Sequence, residues 1–102
     1  MKEVTILGVE NEELKIALSG DIDVGNADEF FAEVATAYDE AKKTIAFDCS
    51  QLSFIDSTTL GVFVKISKLT EADGNKVRLL GLQARIKKLF MICALGSRME
   101  IA

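Results

Sequence analysis

The sequence contains no histidine, proline or tryptophan among its 102 residues, and its only cysteines are Cys49 and Cys93. Without histidine, the usual Ser-His and Cys-His nucleophile pairs cannot form, and a common zinc ligand set is excluded. Two cysteines are too few for a disulfide framework, so we expect two buried, reduced thiols. These absences argue against an enzyme, and we expect neither a metal nor a cofactor.

Long apolar runs and an excess of positive charge are also missing. No apolar stretch approaches the roughly 18 residues that a membrane span needs, and the N-terminal segment MKEVTILGVENEEL lacks the apolar centre of a signal peptide. The net charge is -4, with acids and bases interspersed, so no basic stripe is available to hold a nucleic-acid backbone. We therefore expect a cytoplasmic protein with no membrane span and no direct nucleic-acid partner.

Enough apolar material is present for one hydrophobic core. Hydrophobic residues make up 49% of the 102 residues, and a chain of this length has the size of one domain. We find no internal repeat, low-complexity tract or linker. The sequence therefore predicts a single domain over residues 1–102.

Hydrophobic periodicity predicts strands and helices in the order ββαβαβαβ. This alternation is typical of an α/β fold with a mixed, partly parallel sheet and about three to four helices packed on one or both faces. The predicted elements are strands at 4–9 and 14–18 joined by a turn at 11–13, a helix from a capping box at Asn26 and Glu29 to about Lys42, a strand at 44–48, a helix at 58–72 closed by a left-handed Gly74, a strand at 76–82, a helix at 84–94 and a short strand near 99–101.

A cluster of hydroxyl residues lies where the second helix is predicted to begin. In the stretch FIDSTTLGVF (54–63), Asp56 is followed by Ser57, Thr58 and Thr59. Asp, Ser and Thr are all preferred helix N-caps, and one of them suffices for that purpose. A helix N-terminus also stabilises negative charge, so a phosphoserine would be tolerated there. Its charge of about -1.5 to -2 beside Asp56 would oppose a complex formed through this helix and leave the fold intact.

The other candidate motifs point to ordinary structural roles. Asp21 and Asp23 in GDID are typical of turns and surface charge, and we assign them no metal-ligand role. The glycines form neither of the common phosphate-binding motifs, G-x-x-x-x-G-K-[ST] and G-x-G-x-x-G.

The chain resembles the STAS domain family, and within it the free-standing anti-sigma factor antagonists of bacteria. The segment SGDIDVGNADEF resembles the family's T-G-E-L-D segment and first helix. FDCSQLSFIDSTTLGVFVKI resembles its strand, loop and D-S-[ST]-G-L-G signature, and ARIKKLFMICALGSRMEI resembles its closing helix and strand. The three segments occur in the family's order and cover nearly the whole chain.

The resemblance implies a protein-binding switch in transcription regulation without catalytic activity of its own. In the family, the unphosphorylated antagonist binds an anti-sigma factor that is also a serine kinase, and so frees the sigma factor. Phosphorylation by that kinase ends the binding, and a serine phosphatase restores it. We expect the free protein to be a monomer or a weak dimer.

The family's functional positions can be carried over onto this sequence. The phosphoacceptor falls on Ser57, with Thr58 as a possible minor acceptor. Asp56 matches the signature acid, which we expect to cap the second helix or to orient the Ser57 hydroxyl. The acidic loop near the acceptor matches Asp21 and Asp23. The partner-binding set that the resemblance implies is Asp21, Asp23, Asp56, Ser57, Thr58 and Thr59.

Two positions depart from the family pattern, and two alternative functions stay open. Thr59 replaces the signature glycine, and Ala94 stands where relatives often have glycine. Thr59 favours the first alternative, a constitutive STAS scaffold subunit of a signalling or transporter assembly, in which Ser57 is only a cap. The second alternative is a small enzyme with Asp56, Ser57 or Cys49 as nucleophile.

Overall fold

A mixed β-sheet organises the chain, as seen in a computed structural model that describes residues 1–93 and 95–102. Within these residues the sheet has five strands in the order β1-β2-β3-β4-β5; β1 is antiparallel to β2, and the later neighbours are parallel. The order ββαβαβαβ is confirmed. The elements are β1 (Val4–Glu10), β2 (Glu13–Ile22), α1 (Ala27–Ala41), β3 (Thr44–Ile55), α2 (Ser57–Glu71), β4 (Val77–Leu80), α3 (Ala84–Ile92), a 3-10 turn (Leu95–Ser97) and β5 (Glu100–Ile101).

The predicted hairpin between β1 and β2 is confirmed. Glu10 pairs with Glu13, so the turn consists of Asn11 and Glu12 alone. Both residues have positive φ angles, 54° and 64°. Positive φ at both central positions defines the hairpin turn whose twist matches that of the flanking strands.

The helices α1 and α2 pack side by side on one face of the sheet. α1 contacts β1 and β2, α2 contacts β3 and β4, and the two helices contact each other. The centre of the core is a cluster of phenylalanine rings whose neighbouring centroids are 5.3–6.2 Å apart. Each ring comes from a different element: Phe30 from α1, Phe47 from β3, Phe63 from α2 and Phe90 from α3. None of the helices in the described residues is long and apolar enough to cross a membrane.

Two strands are longer than their sequence pattern indicates. β2 runs to Ile22 and β3 to Ile55, whereas the predicted strands end at residues 18 and 48. The pairing of β2 with β3 has two register shifts, which follow Ala17 and Gly20. In this part of β3 the buried residues Cys49, Leu52 and Ile55 recur at every third position. A regular strand buries every second residue. The spacing of three does not match this period, so the sequence pattern wrongly indicates a turn where β3 in fact continues with irregular pairing.

The helix ends differ from the predicted ones. Asn26 occupies the N-cap position of α1 but makes no side-chain cap, so the predicted capping box is wrong. α2 covers residues 57–71, and Gly74 has the expected positive φ of 77°, although it lies beyond the helix end. α3 ends at Ile92, and the predicted end at Ala94 lies outside the described residues.

The two cysteines lie in different environments. Cys49 is buried as predicted, and burial raises the pKa of its thiol to about 12. The reactive form of cysteine is the thiolate, so Cys49 is unsuited to act as a nucleophile. The prediction of burial is wrong for Cys93, which is exposed. α3 ends one residue before it, so Cys93 no longer follows the helix's buried face.

Candidate functional site

The candidate site forms where parallel strands end at the same edge of the sheet. Ile22, the last residue of β2, pairs with Ile55, the last residue of β3. The loop after β2 (residues 23–26) therefore lies beside the start of α2. The N-terminal part of α3 reaches the same edge, because Arg85 Nη2 donates a hydrogen bond to the Ser53 carbonyl oxygen at 2.6 Å.

Asp56 joins the helix to the loop. It has extended backbone geometry at the N-cap of α2, and its Oδ1 accepts a hydrogen bond from the Thr59 amide at 2.9 Å. Its Oδ2 accepts one from the Val24 amide, also at 2.9 Å. The expectation that Asp56 caps the second helix is confirmed, and the same carboxylate also fixes the loop.

These contacts favour the ionised form of Asp56. The hydrogen bond from the Thr59 amide is the main reason that the pKa of the carboxyl is below its usual value. Partial burial raises the pKa, and the hydrogen bond from the Val24 amide lowers it further. A carboxylate whose pKa is lowered by folding contributes stability above its unfolded pKa of about 3.9. This contribution is lost as the pH falls through the folded pKa.

We expect Asp56→Asn to change the acid response of stability. Asparagine is also a good N-cap but does not titrate, so wild type should be the more stable protein near neutral pH. The difference in free energy of unfolding should narrow as the pH falls below about 4 and through the lowered pKa of the folded carboxyl, where the wild-type side chain takes up its proton. Urea unfolding of both proteins across this range measures the difference. A constant difference would show that the charge of Asp56 is not favoured by the fold.

Thr59 is buried below the site, which corrects its expected place in the partner-binding set. The residue has 0% exposure, and its Oγ1 donates a hydrogen bond to the Ile22 carbonyl oxygen at 2.6 Å. The same hydroxyl lies 3.0 Å from Asp56 Oδ1. A side chain enclosed in this way cannot touch a partner. For the same reason it cannot obstruct a partner at the surface above it.

Ser57 and Thr58 are the exposed hydroxyl residues of α2. They are its first two residues, and within the described part of the chain neither hydroxyl has a hydrogen-bond partner. The two hydroxyls farther along the helix are buried: Ser67 donates to the Val64 carbonyl and Thr70 to the Ser67 carbonyl. The hydroxyl groups of α2 that another protein can reach are therefore concentrated at its N-terminus.

The acidic segment before α1 is an ordered turn. Asp23 Oδ1 accepts a hydrogen bond from the Gly25 amide at 2.9 Å. The Asn26 side chain accepts from the Asp23 amide at 2.8 Å and donates to the Asp21 carbonyl at 3.1 Å. Asp23 is thus the turn former that its sequence context indicates, while Asp21 is exposed. In the described residues, no group of three or more Cys, Asp or Glu side chains could hold a metal ion.

Two apolar side chains beside the site were not identified from the sequence. Val24, whose amide binds Asp56, is 73% exposed, and Phe54, two residues before Asp56, is 48% exposed. Phe54 also lines a cleft of about 280 Å³ with Leu89 of α3. The sequence pattern alone predicts no role for either side chain. Val24 lies in the loop after β2, and Phe54 lies in the irregularly paired part of β3. Neither exposure follows from a simple alternation in the sequence.

Comparison with known proteins shows which family the chain belongs to. The model of the STAS domain matches residues 4–102. The anti-sigma-B factor antagonist of Staphylococcus aureus is 26% identical over 87 residues, which are 85% of this chain and 81% of that protein. The antagonist of Staphylococcus epidermidis has the same identity and coverage.

Solved structures agree with the sequence relatives. The anti-sigma factor antagonist SpoIIAA in its unphosphorylated form has a TM-score of 0.73 and 27% identity, covering 87% of this chain and 82% of that chain. The Bacillus cell fate determinant SpoIIAA in the phosphorylated form has a TM-score of 0.75 and 28% identity, covering 97% and 90%. The chain is similar to anti-sigma factor antagonists in sequence and in structure, and it belongs to the STAS domain family.

Proposed function

We propose that this protein is a phosphorylation-controlled antagonist of a bacterial anti-sigma factor. In its unphosphorylated form it binds an anti-sigma factor that is also a serine kinase, and the sigma factor is released. Phosphorylation of Ser57 by that kinase ends the complex, and a serine phosphatase restores the binding form. The protein performs no chemistry itself and acts in the cytoplasm as a single domain.

The exposed hydroxyl of Ser57 carries this proposal. It lies at the first residue of α2, directly after the anchored Asp56, and no described residue engages it. A kinase can therefore reach the hydroxyl without opening the core. The similarity to SpoIIAA, whose structure is solved in both unphosphorylated and phosphorylated forms, supports the same assignment.

The position also suits the modified state. A helix N-terminus carries about half a positive charge and has unpaired amide donors, so a phosphate on Ser57 is stabilised where it is attached. Thr58 shares the exposure of Ser57 and serves as a minor acceptor. Because both side chains point to solvent, we expect the added phosphate to change the surface and not the fold.

The partner-binding surface in this proposal surrounds Ser57. Asp21 and Asp23 supply negative charge, while Val24 and Phe54 supply exposed apolar contact area. A matching partner surface has basic groups opposite the acids and an apolar pocket near the centre. Asp56 and Thr59 support this surface from below.

Phosphate transfer to Ser57 tests the proposal. We expect incubation with ATP and the kinase of its anti-sigma factor to add one phosphate, which peptide mapping by mass spectrometry assigns to Ser57. Ser57→Ala should lose nearly all of the modification, and Thr58→Ala should keep it. An active kinase that leaves wild type unmodified, or modifies Ser57→Ala equally, contradicts the proposal.

The two alternatives have less support from the geometry. The scaffold interpretation depended on Thr59 as a possible obstruction, but this side chain points into the core. The enzyme interpretation needs an accessible activated nucleophile. Cys49 is buried and protonated, and Asp56 is occupied by backbone amides. Ser57 is exposed, but no described residue contacts its hydroxyl as an activating base.

A further inference from the structure

We propose that Thr59 is a positioning residue that holds the loop after β2 in its binding-competent place beside Ser57. We call the hydrogen bond from Thr59 Oγ1 to the Ile22 carbonyl oxygen the latch. This inference rests on the proposed function, because the surface being positioned is the one assigned to the anti-sigma factor. It concerns how that surface is kept ready for binding.

The first turn of α2, with its N-cap Asp56, binds the backbone at the end of β2 in two places, at Ile22 and at Val24. The latch holds the Ile22 carbonyl at 2.6 Å, and Asp56 Oδ2 holds the Val24 amide at 2.9 Å. Asp56 is itself held by the Thr59 amide at 2.9 Å. The segment from Ile22 to Val24 is thus bound at both ends to one helical turn, and Thr59 takes part in both attachments.

The latch depends on a side chain that the family signature lacks. Glycine at this position has no hydroxyl and could supply only the amide that caps the helix through Asp56. The latch bond is buried, and a buried carbonyl that loses its partner is costly because water does not replace it. Thr59 therefore adds a tether between the end of β2, where the loop begins, and the phosphoacceptor helix of this chain.

The tether matters for binding because the loop carries exposed contact groups. Val24 is 73% exposed, and Asp21 and Asp23 lie on either side of Ile22. If the loop is already ordered before the partner arrives, less conformational entropy is lost on binding than if binding must order the loop. Without the latch, the loop should be open in a larger fraction of molecules. The apparent affinity for the partner is proportional to the fraction of molecules with the loop closed, so it should fall by the same factor.

Thr59→Val tests the latch, because valine keeps the shape and removes the hydroxyl. We expect hydrogen exchange at the Val24 amide to accelerate by about twofold to tenfold, the factor for one hydrogen bond of ordinary net strength. The dissociation constant for the anti-sigma factor kinase, measured by calorimetry, should rise by about the same range. Thr59→Ser keeps the hydroxyl and should restore both values. If Thr59→Val does not fold, Thr59→Gly serves in its place.

Thr70→Val is the matched control. Thr70 is also buried in α2 and donates its hydroxyl to a backbone carbonyl, that of Ser67 at 2.9 Å, but it lies near the other end of the helix. We expect this variant to lose stability without changing Val24 exchange or partner affinity. Unchanged exchange in Thr59→Val, or equal loss of affinity in Thr70→Val, overturns the latch. If wild type binds but Thr59→Val binds equally well, only the latch fails; if wild type does not bind, the proposed function fails and the latch with it.

Discussion

Phe63→Ala should lower the free energy of unfolding by about 3–5 kcal/mol, the usual range for truncating a fully buried phenylalanine. Phe63 has 0% exposure, and its ring centroid lies 5.3 Å from Phe30, 5.5 Å from Phe47 and 5.3 Å from Phe90. Its removal leaves a cavity between α1, α2, α3 and β3 at once. Because domains of this size are stable by only about 5–15 kcal/mol, this single change removes a large part of the total.

Urea unfolding monitored by circular dichroism measures this loss, and Phe54→Ala provides the control. The control removes the same side chain from a position that is 48% exposed, so less apolar area returns to water and a smaller cavity forms. We expect its cost to be well below half that of Phe63→Ala. Equal costs would show that the ring cluster is not the centre of the core.

The core also fixes the position of the candidate site. Ser57 and Phe63 lie on the same helix, six residues apart in sequence, and the ring of Phe63 anchors that helix to its neighbours on the sheet. The burial that stabilises the domain therefore determines where the N-terminus of α2 meets the loop after β2. Packing and the presentation of Ser57 have the same structural origin.

The order of the elements could be predicted from the sequence because it depends on local patterns. Leu14, Ile16 and Leu18 alternate as a half-buried strand does, and all three are buried in the fold. The paired turn residues Asn11 and Glu12 likewise mark a hairpin in both sequence and structure. Where the buried residues recur with the period of a regular strand or helix, the type of element and its buried face can be predicted from the sequence.

The details of the site could not be predicted because they depend on contacts between distant segments. The hydroxyl of Thr59 is buried because the Ile22 carbonyl, 37 residues earlier, accepts its hydrogen bond. The side chain of Asn26 binds the turn before it and leaves the helix uncapped, although the sequence has the form of a capping box. The Thr59 contact is long-range, whereas the Asn26 contacts are local. In the second case the sequence does not show which of two nearby backbone amides the side chain binds.

We expect Ser57→Asp to weaken binding to the anti-sigma factor kinase by about a hundredfold without destabilising the protein. A kinase must place the acceptor hydroxyl beside the terminal phosphate of its nucleotide, so a carboxylate at this position faces a like charge. Two unit charges about 5 Å apart repel by roughly 3 kcal/mol at an effective dielectric constant near 20, which is about a hundredfold in affinity. The fold should tolerate the charge, because an acid in the first turn of a helix is favourable.

Ser57→Asn separates charge from size, because asparagine has the shape of aspartate and is neutral. Calorimetric titration of the kinase should give similar affinities for wild type and Ser57→Asn, and a large loss for Ser57→Asp alone. If repulsion by the nucleotide is the cause, the loss should be greater with ATP bound than with ADP bound, since ATP brings more negative charge to the acceptor. Equal weakening by both variants would instead assign the effect to steric exclusion, and undiminished binding of Ser57→Asp would remove Ser57 as the control point. Because all these proteins share the same anchors, the half-buried Asp56 and the buried Thr59, a difference confined to Ser57→Asp can arise only from the charge at the start of α2.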